Sequence, residues 1–123
     1  MHKILVIDDD LSVRQLVVQM LVSKGYQVVS AEDGRRGLAL FRDEKPDLIV
    51  TDIIMPEKGG IATIRNIRSE CPDAKIIAMS GDGRIGNANL LDIARWLGAS
   101  DVIAKPFDPD QFITVVRNRL AAA

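Results

Sequence analysis

Residues 48–52 read Leu-Ile-Val-Thr-Asp, a short apolar run with β-branched side chains that stops at a carboxylate. Three other apolar runs repeat this pattern and end in Asp8-Asp9, Ser80 and Lys105. Each run has the length of a buried strand in a parallel sheet, and each polar residue stands where its strand should end. The carboxyl ends of parallel strands meet at one edge, where open α/β sheets bind ligands, so we expect these polar side chains to lie together.

Helix-like segments alternate with the strand-like runs, and this predicts one (βα)5 domain over residues 1–123. The first helix is predicted over residues 11–24, capped by Asp10 and ended by Gly25, and the last begins at Asp108-Pro109. Apolar residues repeat along the first helix at three-to-four spacing: Val13, Leu16, Val17, Met20 and Leu21. Right-handed crossovers would give a flavodoxin-like, doubly wound α/β fold with a five-stranded parallel sheet in the order 2-1-3-4-5.

The charge and cysteine content exclude several classes of function. Sixteen Lys and Arg against 17 Asp and Glu leave a net charge of -1, so neither nucleic acid nor a membrane surface is an expected partner. The single cysteine, Cys71, excludes an internal disulfide and favours a reducing, cytoplasmic location. The apolar N-terminal run is interrupted at Asp8, too early for a signal peptide or a membrane span.

The predicted polar edge contains three carboxylates, and their mutual repulsion requires more positive charge than one lysine provides. Oxygen ligands without a suitable His or Cys favour Mg²⁺, with Mn²⁺ as an alternative, over zinc or copper. Mg²⁺ commonly shares its remaining positions with phosphate oxygens, and an aspartate can accept a phosphoryl group as an aspartyl phosphate. Lys105 and the Ser80 hydroxyl could then stabilise the phosphoryl oxygens.

The whole chain resembles the receiver domain of bacterial two-component response regulators. The segments that carry the resemblance are Asp8-Asp9, residues 46–52 with Met55-Pro56 after them, Ser80, and Lys105-Pro106-Phe107. The resemblance implies Asp52 as the phosphoacceptor, Ser80 as the hydroxyl that reports phosphorylation and Lys105 as the phosphate-binding lysine. It also implies that the metal is held by Asp8, Asp9, Asp52 and the backbone carbonyl of Ile54. A histidine kinase or histidine phosphotransfer protein would be the donor.

Val102 and the Gly81–Asn89 segment depart from the family pattern, and Trp96 is a candidate contact residue. Val102 stands where receivers usually carry a switching aromatic residue, so we expect the signal to pass through Ser80 and the following loop instead. The Gly81–Asn89 segment is longer than usual and predicts a mobile loop or a displaced helix start. The resemblance places a partner surface on the fourth helix, fifth strand and fifth helix, with Trp96 as a candidate anchor. A downstream protein effector, and a monomer or a phosphorylation-dependent dimer, are then expected.

Two alternatives belong to other function classes. A Mg²⁺-dependent phosphohydrolase with an aspartate nucleophile, of the haloacid dehalogenase type, would normally have a second Asp where Ile54 stands. A receiver-like interaction module that is never phosphorylated would keep the fold without the chemistry. The residues favour a phosphoacceptor signalling domain, rather than an enzyme, over both alternatives.

Overall fold

The computed structural model describes residues 2–53, 59–80, 84–85, 88–89, 98–105 and 107–122. Its main sheet contains five parallel strands, β1 (Lys3–Ile7), β2 (Gln27–Ala31), β3 (Leu48–Asp52), β4 (Ile76–Ser80) and β7 (Asp101–Ala104). They lie in the order β2-β1-β3-β4-β7. This is the predicted order 2-1-3-4-5 when the strands of this sheet are counted alone.

Helices cover both faces of the sheet, as the predicted doubly wound fold requires. The described residues form α1 (Leu11–Ser23), α2 (Gly34–Glu44), α3 (Gly60–Glu70) and α4 (Pro109–Ala121). α1 and α4 pack on one face, through residues such as Val17 and Phe112, while α2 and α3 pack on the other through Leu38 and Ile64. Alternate residues of β1, β3 and β4 enter the two cores, so these three central strands are buried on both sides.

The predicted helix caps are confirmed. Asp10 accepts a hydrogen bond from the Val13 N–H at the start of α1, and Asp108 accepts one from the Asp110 N–H at the start of α4. Gly25 has φ +90°, the left-handed conformation expected beyond the end of α1. Within the described residues, none of the helices is both long enough and apolar enough to cross a membrane.

Two segments show features that the sequence patterns do not specify. Leu16 is 51% exposed, because it lies about 100° around α1 from the buried Val17. In the Gly81–Asn89 segment, β5 (Arg84–Ile85) pairs with β6 (Ala88–Asn89) in an antiparallel ladder. The expected mobile loop or displaced helix start stays a prediction.

Candidate functional site

The register of the main sheet brings the predicted polar residues to one edge. β1 and β3 pair as far as Ile7 and Thr51, so Asp8 and Asp52 leave neighbouring strands at the same level. β4 ends at Ser80, which pairs with Ala104, the residue before Lys105. Four strand ends therefore deliver three kinds of functional group, carboxylate, hydroxyl and ammonium, to the carboxyl edge of the sheet.

Three carboxylates converge at this edge. Asp8, Asp9 and Asp52 each offer an oxygen, and these atoms lie within 4.8 Å of one another. Asp8 and Asp52 are buried, whereas Asp9 is exposed. The Asp10 N–H donates to Asp8 Oδ1 at 2.9 Å, which fixes the orientation of that carboxylate. An all-oxygen donor set of this size, open on the Asp9 side, fits a hard divalent cation such as Mg²⁺.

Lys105 lies between the two buried carboxylates. Its Nζ donates to Asp8 Oδ2 at 2.9 Å and lies 3.5 Å from Asp52 Oδ1. Burial alone would lower the pKa of Lys105, but the hydrogen bond to Asp8 and the charges of Asp52 and Asp8 outweigh it and raise the pKa. The lysine therefore stays charged at neutral pH and neutralises part of the carboxylate cluster.

Asp52 remains an unfavourable place for a negative charge. Burial raises the pKa of its carboxyl, the charges of Asp8 and Asp9 raise it further, and Lys105 only partly offsets them. The site is thus short of positive charge, as the sequence predicts. A bound divalent cation would remove that deficit.

Ser80 has a buried hydroxyl that lacks a partner among the described residues. The residue is 1% exposed, and its Oγ makes no hydrogen bond there. Its backbone is held in place, since its carbonyl accepts from the Lys105 N–H at 2.6 Å. Because an unsatisfied buried hydroxyl costs free energy, such a group often marks a site whose ligand supplies the missing bond. A phosphoryl oxygen would be a suitable acceptor.

Arg14 is a contributor to this site that sequence reasoning missed. Its Nη1 donates to the backbone carbonyl of Asp8 at 2.8 Å, so it supports the main chain of the carboxylate pair from α1. The sequence contained one signal for this role, the position of Arg14 near the N-terminus of a predicted helix. A cation there interacts unfavourably with the helix dipole, which suggests that it has a specific partner.

Three other residues were predicted to take part in metal binding, switching or partner contact: Ile54, Val102 and Trp96. Val102 lies in β7, is partly buried, and packs against the α2–α3 face of the sheet. Ile54, which was expected to supply a metal-binding carbonyl, and Trp96, the expected contact anchor, both lie outside the described residues. The fourth predicted helix, around Trp96, lies there too.

Comparison with known proteins places this chain in a family. Residues 4–117 match the family model described as the response regulator receiver domain. The chain is 33% identical over 120 residues to the chemotaxis protein CheY of Bacillus subtilis, covering 97% of this chain and 98% of that protein. It is 36% identical over 118 residues to the "probable transcriptional regulator ycf27" of Cyanophora paradoxa, and there it spans 48% of the relative's length.

Solved structures agree with this placement. The chemotaxis protein CheY4 of Vibrio cholerae superimposes with a TM-score of 0.85 at 28% identity, covering 96% of this chain and 98% of that one. A receiver domain protein from Clostridium thermocellum gives a TM-score of 0.87 at 29% identity, covering 98% and 94% of the two chains. Both likenesses extend over nearly the whole chain.

Proposed function

Because the chain belongs to the response regulator receiver domain family, we propose that it accepts a phosphoryl group on Asp52 from a histidine kinase or a histidine phosphotransfer protein. The observation that carries the proposal is the convergence of Asp8, Asp9 and Asp52 within 4.8 Å beside the Lys105 ammonium. A cluster of this kind brings carboxylate ligands for a divalent metal ion together with a lysine ammonium group that can bind a phosphoryl oxygen.

Mg²⁺ is the proposed cofactor, with Mn²⁺ as a substitute. The carboxylates of Asp8, Asp9 and Asp52 would hold it together with the backbone carbonyl of Ile54. When bound, the ion supplies charge neutralisation for the phosphoryl oxygens. The Lys105 contact with Asp8 must then compete with the ion for the same carboxylate.

In the proposed reaction, Asp52 is the nucleophile. One of its carboxylate oxygens forms a bond to phosphorus while the N–P bond of the donor's phosphohistidine breaks, and the imidazole keeps that electron pair. The burial that raises the pKa of Asp52 also limits the access of bulk water to its carboxylate. Lys105 pairs with a phosphoryl oxygen, and the Ser80 Oγ–H donates to another, which satisfies its missing hydrogen bond.

Output is proposed to be a change in binding to a downstream protein, in the cytoplasm. One relative is named as a chemotaxis protein and another as a transcriptional regulator, so receivers of this type serve different outputs. The net charge of -1 gives no support for direct nucleic-acid binding by these 123 residues. Because Val102 stands where the family usually has an aromatic residue, the signal is proposed to pass through Ser80 and the segment after it. The protein is proposed to act as a monomer or as a phosphorylation-dependent dimer.

A stoichiometric phosphorylation assay tests this proposal. The native chain, Asp52→Asn and the charge-matched surface control Asp43→Asn are incubated with Mg²⁺ and a small-molecule phosphodonor, then weighed by intact-mass spectrometry. One phosphoryl adduct is expected on the native chain and on Asp43→Asn, and none on Asp52→Asn or after chelation.

The alternatives predict other results. No adduct, together with failure to bind beryllofluoride, would indicate an interaction module that is not phosphorylated. Continuous turnover of a phosphate ester in large excess over protein would indicate a phosphohydrolase. Either outcome would overturn the proposed function.

A further inference from the structure

The first residue of α3 lies against the backbone of the proposed phosphoacceptor. Gly60 is buried, and its N–H donates to the Ile53 carbonyl at 3.1 Å. A Cβ placed at this position would lie 2.6 Å from Ile53 O and 2.7 Å from Ile53 Cα, and closer still to Asp52 O. The start of α3 can therefore approach the end of β3 this closely only without a side chain at position 60.

These clashes differ in kind from those at Gly37, another buried glycine in a helix. At Gly37, in α2, the three atoms nearest to an added Cβ are side-chain atoms of Ile7, with Cγ1 at 2.8 Å and Cδ1 closer still. A side chain can rotate or shift. At Gly60 the three nearest atoms are backbone atoms of Asp52 and Ile53, so relief of the clash requires the end of β3 or the helix itself to move.

Conformation does not explain the glycine at position 60. The described glycines with positive φ are Gly25 and Gly98, and Gly60 is not among them. Glycine is also a poor helix former, costing about 1 kcal/mol relative to alanine. Space next to the Asp52 and Ile53 peptides is thus the physical reason for glycine here.

We propose that Gly60 is a positioning residue for phosphorylation, an inference that rests on the proposed function. The absent Cβ lets α3 hold the Asp52 and Ile53 peptides, and so sets where the Asp52 carboxylate stands relative to Asp8, Asp9 and Lys105. The Ile53 carbonyl bound by Gly60 belongs to the peptide that leads into Ile54, the expected carbonyl ligand of the metal. The absence of a side chain at position 60 therefore affects the placement of two proposed metal ligands, the Asp52 carboxylate and the Ile54 carbonyl.

The test compares Gly60→Ala with Gly37→Ala, a matched control that adds the same methyl group to another buried helical glycine. Each variant and the native chain is titrated with Mg²⁺ by calorimetry, phosphorylated with a small-molecule donor, and melted by circular dichroism. For Gly60→Ala we expect a loss of about tenfold or more in Mg²⁺ affinity and in phosphorylation rate, as for groups that orient metal ligands. Gly37→Ala should lose thermal stability while its Mg²⁺ affinity and its rate stay at the native values.

Equal Mg²⁺ affinity in the native chain and Gly60→Ala would overturn the inference while leaving the proposed function intact, provided that the native chain is phosphorylated. A native chain that binds Mg²⁺ but takes no phosphoryl group and does not bind beryllofluoride would refute the proposed function instead. If Gly60→Ala does not fold in buffer, all three proteins are measured in trimethylamine N-oxide, which favours the folded state. Failure to fold there too, with Gly37→Ala folded, would mean that the whole fold requires Gly60, and the positioning role would be rejected.

Discussion

Replacing Asp52 by asparagine should stabilise the chain when no metal is present. The oxygens of Asp8, Asp9 and Asp52 lie within 4.8 Å, a distance at which two unit charges repel by about 3.5 kcal/mol at an effective dielectric constant of about 20. For the exposed Asp9, solvent screening reduces this toward about 0.9 kcal/mol. Lys105, at 3.5 Å, returns about 4.7 kcal/mol of attraction.

The repulsion from Asp8 and Asp9 therefore exceeds the attraction to Lys105, and the negative charge on Asp52 is disfavoured by between about zero and 2 kcal/mol. The burial that raises its pKa adds to this penalty. Asparagine removes the charge, keeps the shape and can still accept from Lys105. We therefore expect Asp52→Asn to gain about 1–2 kcal/mol at pH 7 and low salt, or about 3–8 °C in Tm for a domain of this size.

The sign of the pH dependence follows from the raised pKa. The folded chain holds the Asp52 proton more tightly than the unfolded chain, so the native protein loses stability relative to Asp52→Asn as pH rises through that pKa. Below the ordinary carboxyl value of 3.8 the advantage of the variant should vanish. Excess Mg²⁺ should reverse the order, because at 100 times its Kd a ligand stabilises by about 2.7 kcal/mol and the amide is a weaker ligand.

Thermal and urea unfolding of metal-free protein across pH measures these differences. Asp43→Asn, on the exposed surface of α2, controls for the change in net charge and should shift stability by about 0.5 kcal/mol or less. The reasoning about carboxylate repulsion is refuted if metal-free Asp52→Asn is less stable than the native chain at pH 7.

Three further substitutions have defined outcomes. Ser80→Ala should keep or raise the free energy of unfolding, by about 0.5–1.5 kcal/mol, because it removes a buried hydroxyl without a partner among the described residues; a urea midpoint well below native would contradict this. Lys105→Met should raise Mg²⁺ affinity by about 3- to 10-fold in calorimetry, because it frees Asp8 Oδ2 and removes a cation that repels the metal. The same variant should be phosphorylated more slowly. Weaker Mg²⁺ binding would count against competition between Lys105 and the metal for Asp8. Arg14→Ala should weaken Mg²⁺ binding by about tenfold, because the Asp8 carbonyl loses its hydrogen-bond donor. Arg35→Ala, on the exposed surface of α2, should leave Mg²⁺ affinity unchanged. Equal affinities in the two variants would exclude a supporting role for Arg14.

The sequence predicts the fold well where each strand and helix has a strong local signal. Four apolar runs ending in polar residues mark four of the five parallel strands, and Asp10, Gly25 and Asp108 mark helix boundaries that the structure confirms. The gathering of Asp8, Asp9, Asp52 and Lys105 is predictable for the same reason. In a parallel sheet, the end of a strand fixes the edge at which the next residue emerges.

Other features depend on tertiary contacts that periodicity does not contain. Leu16 fits the apolar repeat, but the exposure of each side of α1 is decided by how the neighbouring elements pack. Arg14 acts through a backbone carbonyl, which leaves no partner residue type for a sequence pattern to show. The role inferred for Gly60 requires the distance between a helix start and a strand end, which only the folded chain supplies.

The central claim is that Asp52 receives the phosphoryl group, and trapping the acyl phosphate tests it most directly. The chain is phosphorylated with Mg²⁺ and a small-molecule donor, reduced with borohydride, which converts an aspartyl phosphate to homoserine, and digested for tandem mass spectrometry. The account predicts homoserine at position 52 alone, dependent on Mg²⁺. Homoserine at Asp8 or Asp9, or a phosphoryl adduct that persists in Asp52→Asn, would contradict it.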